Sequence, residues 1–317
     1  MRIARYTAAN ADEWDSFVKA SRNGTFLFLR AYMDYHSDRF ADHSLMFYDQ
    51  KSHLVAVMPC NESGSRLYSH QGLTYGGIVL HCGAHSEDVC RIFEDVQKYM
   101  RGNGFTELIY KSVPTIYHRI PSQEEDYYLW RNGAELLECN LSSAVDYGSA
   151  EGIQAEYCRR NALTRLFRQG IRLNMEAQLQ DFWPVLENNL MDKYGATPVH
   201  TLTEMQKLQR ALPQYIRCCT AEDTDGTLLA GVILYVTGQT VHVQYSSATA
   251  DGRRIGAQDF LYLSLVNRYR ECPEVRFFDF GTSNEEHGQR LNSTLNRYKE
   301  GFGARGVVHR IYRMPVH

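Results

Sequence analysis

A repeated order of predicted elements constrains the fold of this 317-residue chain more than any other feature. Three elements of the first half recur in the second half at an almost constant distance along the chain. They are the helices from Ser86 and Ala257, the strands from Phe105 and Val275, and the dipeptides Gly133-Ala134 and Gly303-Ala304. The offsets are 171, 170 and 170 residues. So constant a shift indicates a duplicated fold.

The repeat predicts two similar domains of mixed α and β structure (α+β or α/β), each with a mostly antiparallel sheet and helices packed on it. We place them at residues 1–148 and 173–317, joined by a basic linker helix at 149–172. The length agrees, because a chain of this size divides naturally into domains of about 150 residues. In the second half, apolar periodicity predicts helices at 181–194, 203–211, 257–271 and 288–300, and strands at 214–222, 227–237, 240–248, 275–280 and from Arg305.

Composition and charge exclude several classes of protein. The chain has 34 Lys and Arg against 37 Asp and Glu, a formal charge of −3, which does not favour a broad nucleic-acid surface. The longest apolar segment, residues 228–236, has the length of a strand, and residues 1–14 contain no apolar signal core. We therefore expect a cytoplasmic protein without a transmembrane segment. The eight cysteines form no CxxC pair and the twelve histidines no HExxH motif, so we expect buried thiols and no metal site.

The predicted linker is rich in basic and apolar side chains. They are Arg159, Arg160, Arg165, Arg168 and Arg172, with Leu163, Leu166 and Phe167 between them. One interpretation is a linker helix with a solvated basic face. The other is a surface that binds an anion, and the sequence leaves both open.

The segment from Val241 to Ala257 is the most informative for function. A predicted strand ends in the polar residues Tyr245, Ser246 and Ser247. A predicted loop then carries Arg253 and Arg254, and a helix begins at Gly256 and Ala257. A helix start has unpaired N–H groups and arginines add bidentate donors, so the pattern favours a phosphate. An ordinary turn before a helix has the same residues, and that alternative stays open. The corresponding loop of the first half, residues 81–86, has no arginine, so a phosphate site is favoured in the second half.

Two turns carry residues that are suited to recognition. Asp279 interrupts an aromatic run before the polar turn residues Ser283 and Asn284. Its carboxylate either orients a neighbouring group or an incoming amine, or is solvated at the sheet edge. In the first half, Gly76 follows Tyr75 in a predicted tight turn or groove wall.

The residues resemble those of the GNAT acyltransferases, and the duplication resembles the FemAB-type proteins with two GNAT domains. The stretches that carry the resemblance are spread over most of the chain: Gly24-Thr25-Phe26, Leu54 to Pro59, Tyr75-Gly76-Gly77, Phe278 to Gly281 with Ser283, and Tyr298 to Ala304. The sequence is also similar to GNAT-like proteins of gut Bacteroides-type bacteria. The resemblance implies a tandem GNAT fold and the transfer of an acyl group to an amine.

The resemblance implies roles for individual residues. The stretch from Arg253 to Ala257 resembles the GNAT pyrophosphate loop, although Gln258 stands where that motif ends in glycine or alanine. Lys299 matches the lysine of the Phe-Lys motif of FemAB-type ligases, with Tyr298 in place of Phe, which implies stabilisation of the acyl transition state. The residues assigned to acyl-CoA binding are Tyr245, Ser246, Ser247, Arg253, Arg254, Gly256 and Ala257. Catalysis is assigned to Lys299, Asp279 and Tyr298, with Tyr262 as an alternative proton donor. Acceptor binding is assigned to Tyr75, Gly76, Ser283 and Asn284.

The predicted function is an acyltransferase that moves an acyl group from acetyl-CoA or another acyl-CoA to an amine of a sugar or cell-envelope precursor. Two alternatives stay open. One is aminoacyl or peptidyl transfer as in the FemAB-type ligases, although the helical-hairpin arm of their tRNA-dependent members has no counterpart at 149–172. The other is a double-GNAT module that binds a ligand or partner without catalysis.

Overall fold

The computed structural model describes residues 1–149 and 154–316. Residues 150–153 of the predicted linker and residue 317 lie outside the described residues. The chain divides into two compact units, each built from segments that are distant in sequence. The first consists of Met1–Leu141, Asn284–Arg290 and Val307–His317, and the second of Ser142–Ser283 and Leu291–Gly306.

The first unit contains two groups of paired strands. Its helices are α1 (Ala11–Ala20), α2 (Arg30–Met33), α3 (Ser86–Gly102) and α4 (Glu124–Arg131), with 3-10 turns at Ala8–Asn10, Phe26–Phe28, Asp34–His36 and Thr115–Tyr117. Its strands are β1 (Arg2–Arg5), β2 (Ala41–Asp42), β3 (Leu45–Tyr48), β4 (Leu54–Met58), β5 (Asn61–Ser63), β6 (Arg66–Tyr68), β7 (Val79–Leu80) and β8 (Glu107–Lys111). An antiparallel sheet has the order β1-β3-β4-β7, and the second group has the order β8-β6-β5-β2. The pair β6 and β8 is parallel.

Strand β9 (Glu135–Asp146) leads from the first unit into the second. The helices of the second unit are α5 (Tyr157–Arg168), α6 (Leu179–Tyr194), α7 (Leu202–Ala211), α8 (Ala250–Ile255), α9 (Ala257–Arg270) and α10 (Ser293–Glu300). Its strands are β10 (Arg172–Asn174), β11 (Ile216–Glu222), β12 (Leu228–Thr237), β13 (Thr240–Ala248) and β14 (Phe277–Thr282). The chain then forms the short hairpin of β15 (Asn284–Glu285) and β16 (Arg290–Leu291) and the last strand β17 (Arg305–Pro315), most of whose residues group with the first unit. The sheet order is β10-β11-β12-β13-β14-β9, and β13 and β14 are its parallel pair.

The structure confirms the duplicated fold. Helix α3 begins 171 residues before α9, β8 begins 170 before β14, and β9 begins 170 before β17. Each unit therefore has a long helix between two parallel strands in an otherwise mostly antiparallel arrangement. The apolar stripes of α3 and α9 are buried in the cores of their units, which explains why these helices are the clearest in the sequence.

The bounds of the units differ from the predicted domains. Residues 284–290 and 307–317 group with the first unit, whereas the predicted second domain includes them. For the last strand the reason is its pairing, because Ile311 in β17 lies opposite Lys111 in β8. The predicted linker helix is α5, and it belongs to the second unit.

Three local expectations are wrong. The predicted loop with two arginines is helix α8, in which the Thr249 hydroxyl accepts a hydrogen bond from the Gly252 N–H. The helix expected from residue 288 begins at Ser293 because a hairpin precedes it. The cysteines are all free, but not all are buried: Cys60, Cys218 and Cys219 are buried, while Cys82, Cys139 and Cys158 are exposed.

Gly252 fixes α8 against β12. A Cβ atom at this position would lie 1.9 Å from the backbone oxygen of Leu229, so Gly252→Ala should force α8 away from the sheet. We expect a loss of about 3 kcal/mol in the free energy of unfolding, measured by urea denaturation. Gly102→Ala is the control, because nothing lies within 4 Å of the added atom. A Gly252→Ala protein as stable as this control would contradict the packing argument.

Candidate active site

Strands β13 and β14 separate after a short paired region. The parallel ladder has three residue pairs, from Thr240 and Phe277 to His242 and Asp279. The described residues form no further pair between these strands. The pairing of β13 with β12 shifts register at Gln244, so β13 also bends at this point. The two strands thus form an opening whose narrow end is the pair His242 and Asp279.

A cleft of about 270 Å³ follows along the free part of β13. Ser246 lies four residues after His242, which is about 13 Å of extended strand. The cleft is lined by side chains from α6, β13, α8, α9 and α10: Leu186, Asn189, Leu190, Lys193, Ser246, Ser247, Ala248, Arg253, Gln258, Tyr262, Leu295 and Tyr298. Four of the predicted site residues, Ser246, Ser247, Arg253 and Tyr298, are therefore brought together here.

The two adjacent arginines have different environments. Arg253 lines the cleft, and its guanidinium donates to the amide oxygen of Asn189 and, at 2.7 Å, to the backbone oxygen of Ala248. Arg254 is 74% exposed, pairs with Asp251, and does not line the cleft. Only Arg253 is thus placed to meet an anion in the cleft.

The other residues predicted to bind acyl-CoA are placed at its edge or outside it. The Tyr245 hydroxyl is 2.7 Å from His200 Nδ1, and the Tyr245 ring packs against Trp183. Gly256 has φ +85° and joins α8 to α9, a conformation that favours glycine. Ala257 is fully buried in the core. These three residues do not line the cleft.

Gln258 offers a hydrogen-bond donor inside the cleft. Its Nε2 is buried and has no hydrogen-bond partner among the described residues. An unsatisfied buried amide is unfavourable by about 1–3 kcal/mol, so a ligand that accepts this hydrogen bond would be stabilised. The residue that departs from the GNAT loop motif is therefore compatible with a polar ligand.

Two tyrosines form the inner wall. The Tyr262 hydroxyl donates to Ser246 Oγ at 2.5 Å, and burial raises the pKa of Tyr262 to about 12. The Tyr298 hydroxyl donates to Asp259 at 2.7 Å, and burial together with this carboxylate raises the pKa of Tyr298 well above its usual value. Asp259 also pairs with Arg159, which lies over the Tyr298 ring. Because Tyr298 holds its proton toward Asp259, Tyr262 is the better placed of the two to donate one into the cleft.

Asp279 forms a hydrogen bond with His242, a residue that the sequence did not predict to be part of the site. The Asp279 carboxylate is fully buried and accepts hydrogen bonds from the Ser142 hydroxyl at 2.5 Å and from the Gly281 N–H at 3.0 Å. Its other oxygen is 2.7 Å from His242 Nδ1. A carboxylate at Nδ1 favours the tautomer with its proton there, which leaves Nε2 to accept a proton. Asp279 is therefore placed to orient His242 and is too deeply buried to meet an amine directly.

Lys299 lies beside the same turn. It is 7% exposed, and its Nζ donates to the backbone oxygens of Gly281 and Thr282 at 2.8 and 2.7 Å. Burial lowers the pKa of Lys299 to about 8, although the charge of Asp279 opposes the shift. A Cβ atom at Gly281 would lie 3.4 Å from His242 Cε1. His242 and Lys299 therefore both lie next to Gly281.

Three of the four residues predicted to bind the acceptor have structural contacts. Tyr75 is buried in the first unit, where its hydroxyl donates to Thr25. Gly76 is required there because a Cβ atom would lie 1.7 Å from the backbone oxygen of Ser69. Asn284 accepts from the Leu141 N–H at 2.6 Å. Ser283 is buried, and its Oγ has no hydrogen-bond partner among the described residues. Their roles in acceptor binding stay predictions.

Within residues 1–149 and 154–316, no group of three or more His, Cys, Asp or Glu side chains is arranged to hold a metal ion. The same described residues include no helix that is long and apolar enough to cross a membrane.

Comparison with known proteins places this site in a family. The acetyltransferase (GNAT) domain family matches residues 157–300. FemX has a similar fold over 98% of this chain and 97% of its own, with TM-score 0.69 and 10% identity. L-PGS from Bacillus licheniformis is similar over 95% of this chain and 90% of its own, with TM-score 0.63 and 12% identity. A tandem GNAT protein from the clavulanic acid biosynthesis pathway is similar over 100% of this chain and 98% of its own, with TM-score 0.52 and 13% identity. A search of curated proteins finds no match.

The fold is therefore that of two GNAT domains in one chain, as in FemX and the tandem GNAT protein. The family match identifies residues 157–300 as a domain of the acetyltransferase (GNAT) type.

Proposed function

We propose that this chain transfers an acyl group from an acyl-CoA, such as acetyl-CoA, to an amino group of a sugar or cell-envelope precursor. The observation that carries the proposal is the opening between β13 and β14, where the His242 and Asp279 pair ends the ladder and the cleft of Arg253 and Gln258 lies along the free part of β13. The family match to a GNAT acetyltransferase domain supports the choice of donor.

The residues of the cleft fit the parts of an acyl-CoA. Arg253 supplies charge for a phosphate, Gln258 an unused N–H, and Ser246 and Ser247 polar contacts on β13. Beyond His242 the edge of β13 that faces β14 has no ladder partner in the described structure. Its N–H groups are suited to stabilise a developing oxyanion.

The chemistry needs one proton acceptor and one proton donor. The amine nitrogen attacks the thioester carbon, a C–N bond forms, and the C–S bond breaks to release the thiol of CoA. His242 Nε2 accepts the proton that the amine loses, and Asp279 stabilises the resulting imidazolium. Tyr262 donates a proton toward the sulfur. Lys299 adds positive charge beside Gly281, in the role that the FemAB resemblance implies.

Titration with acetyl-CoA tests the donor. We expect Arg253→Ala to weaken binding about tenfold, because a charge-assisted hydrogen bond is lost. Arg254→Ala is the matched control and should bind within about twofold of the native protein, since that side chain is exposed and paired with Asp251. Absence of binding to the native protein, measured by isothermal calorimetry, would rule out acyl-CoA as donor.

The acceptor is tested by thiol release from acetyl-CoA in the presence of amino sugars and of amine-bearing cell-envelope precursors. The fold likeness to FemX makes aminoacyl transfer the competing proposal. Aminoacyl-tRNA is therefore supplied as donor in a parallel assay with the same acceptors. Transfer from charged tRNA without acetyl-CoA binding would favour that second function, and ligand binding without transfer from either donor would favour a non-catalytic module.

A further inference from the structure

Helix α5 presents two exposed aromatic rings to solvent. Leu166 faces inward and is fully buried in the core of the second unit. Tyr157 and Phe167 are each 72% exposed. Rings this exposed stabilise the fold little by burial, so their apolar surface is available to a partner.

Three arginines share the outward side of α5 with these rings. Arg160, Arg165 and Arg168 are exposed, as expected from helical spacing that places them away from Leu166. Arg160 donates to the side-chain oxygen of Gln154 and Arg165 to the backbone oxygen of Ile255. Both partners are uncharged, and in the described parts of the chain none of the three arginines pairs with a carboxylate. Their positive charge is therefore uncompensated.

The fourth arginine of α5 differs from these three, because it lies on the inward side and has a carboxylate partner. Arg159 faces inward and pairs with Asp259. Elsewhere on the surface, several exposed arginines do have carboxylate partners, as in the pairs of Arg91 with Glu87, Arg290 with Glu285, and Arg313 with Glu135. A positive patch with protruding rings thus stands out on a chain whose formal charge is −3.

We propose that the outward side of α5 is a docking surface for a bilayer rich in anionic lipid. Arginine at such a surface contributes about 1 kcal/mol each, and aromatic rings settle at the boundary between headgroups and acyl chains. Nucleic acid would also attract the arginines, but bases are normally held in a basic groove. The rings of α5 stand on a convex helix instead. The proposal is independent of the acyl donor.

Vesicle flotation of the full chain tests this surface. With vesicles of phosphatidylglycerol and phosphatidylcholine in equal amounts, we expect binding that weakens as salt is raised to about 0.5 M. Vesicles of phosphatidylcholine alone should bind much less. Replacing Arg160, Arg165 and Arg168 by Gln should lower the partition coefficient about a hundredfold, at about fivefold for each charge. Phe167→Ser should lower it about tenfold.

A control with the same change in net charge makes the result specific. Arg91, Arg290 and Arg313 are replaced by Gln together, since each is already paired with a carboxylate. This protein should bind anionic vesicles within about threefold of the native one. Equal loss in both triple variants, or no vesicle binding by the native chain, would overturn the proposal. If the chain binds tRNA that carries no amino acid, if this binding depends on the α5 arginines, and if no vesicle binding is seen, the surface would be assigned to nucleic acid instead.

Discussion

Replacing His242 by Gln should reduce the turnover of acyl transfer by about a hundredfold to a thousandfold, while the dissociation constant for acetyl-CoA stays the same. The reason is that Gln keeps a polar side chain at the narrow end of the opening but cannot accept the proton of the amine. General bases contribute effects of about this size. Turnover is measured as thiol release with the acceptor found in the screen, and binding by calorimetry.

Two further variants make this test specific. Asp279→Asn should lower turnover in the same direction, because an amide at 2.7 Å from Nδ1 no longer favours the tautomer with a free Nε2. His43→Gln is the control, since His43 also pairs with a carboxylate, that of Glu62, but in the first unit. If His242→Gln kept a third or more of native turnover, His242 would not be the base.

Replacing Lys299 by Met should lower turnover about a hundredfold, the scale of one lost oxyanion donor. The ammonium is the active form, and the pKa of Lys299 is about 8. Native turnover should therefore fall as the pH rises through about 8, since the side chain loses its charge there. Lys299→Met should show no such fall, and pH profiles of both proteins measure this difference.

The chain offers a closely matched control for Lys299. Lys111 is half-buried, its Nζ also donates to two backbone oxygens, those of Gln71 and Leu73, and desolvation lowers its pKa to about 8 as well. Lys111→Met removes a comparable set of hydrogen bonds from the first unit. We expect similar loss of stability in both variants and loss of turnover only with Lys299→Met. Full turnover in Lys299→Met would show that Lys299 has no role in catalysis and only stabilises the turn at Gly281 and Thr282.

Much of the fold follows from local signals in the sequence. Helix α9 is predicted within one residue because Gly256 precedes a buried apolar stripe, and β12 is predicted within one residue because its residues are almost all apolar and bounded by turns. The structure also shows the offset of about 170 residues between corresponding elements of the two halves. The offset depends only on the order of the elements along the chain, and local sequence patterns predict that order. Helix α8 is missed because Gly252 and two arginines are typical of a loop, and only the contact with Leu229 explains that glycine.

The candidate site is less accessible to prediction from sequence. Ser246, Ser247 and Arg253 are found because they are close together along the chain. His242 is missed because its partner Asp279 is 37 residues away and meets it only through the parallel register of β13 and β14. The bulge of β13 at Gln244 places His242 and Ser246 on opposite faces of the strand, so simple alternation along β13 does not link the two residues. Gln258 was read as a defect in a motif, whereas its side chain reaches the cleft.

The pairing of β17 with β8 has a consequence for how the protein is made. Residues 307–316 belong to the first unit, although the 158 residues of the second are synthesised before them. During translation, β8 therefore waits without this neighbour on one edge while the second unit emerges from the ribosome. A ribosome-bound chain stalled after residue 283 would present that unpaired edge to chaperones or to other nascent chains. Separate expression of the first half of the gene would leave the same strand uncovered.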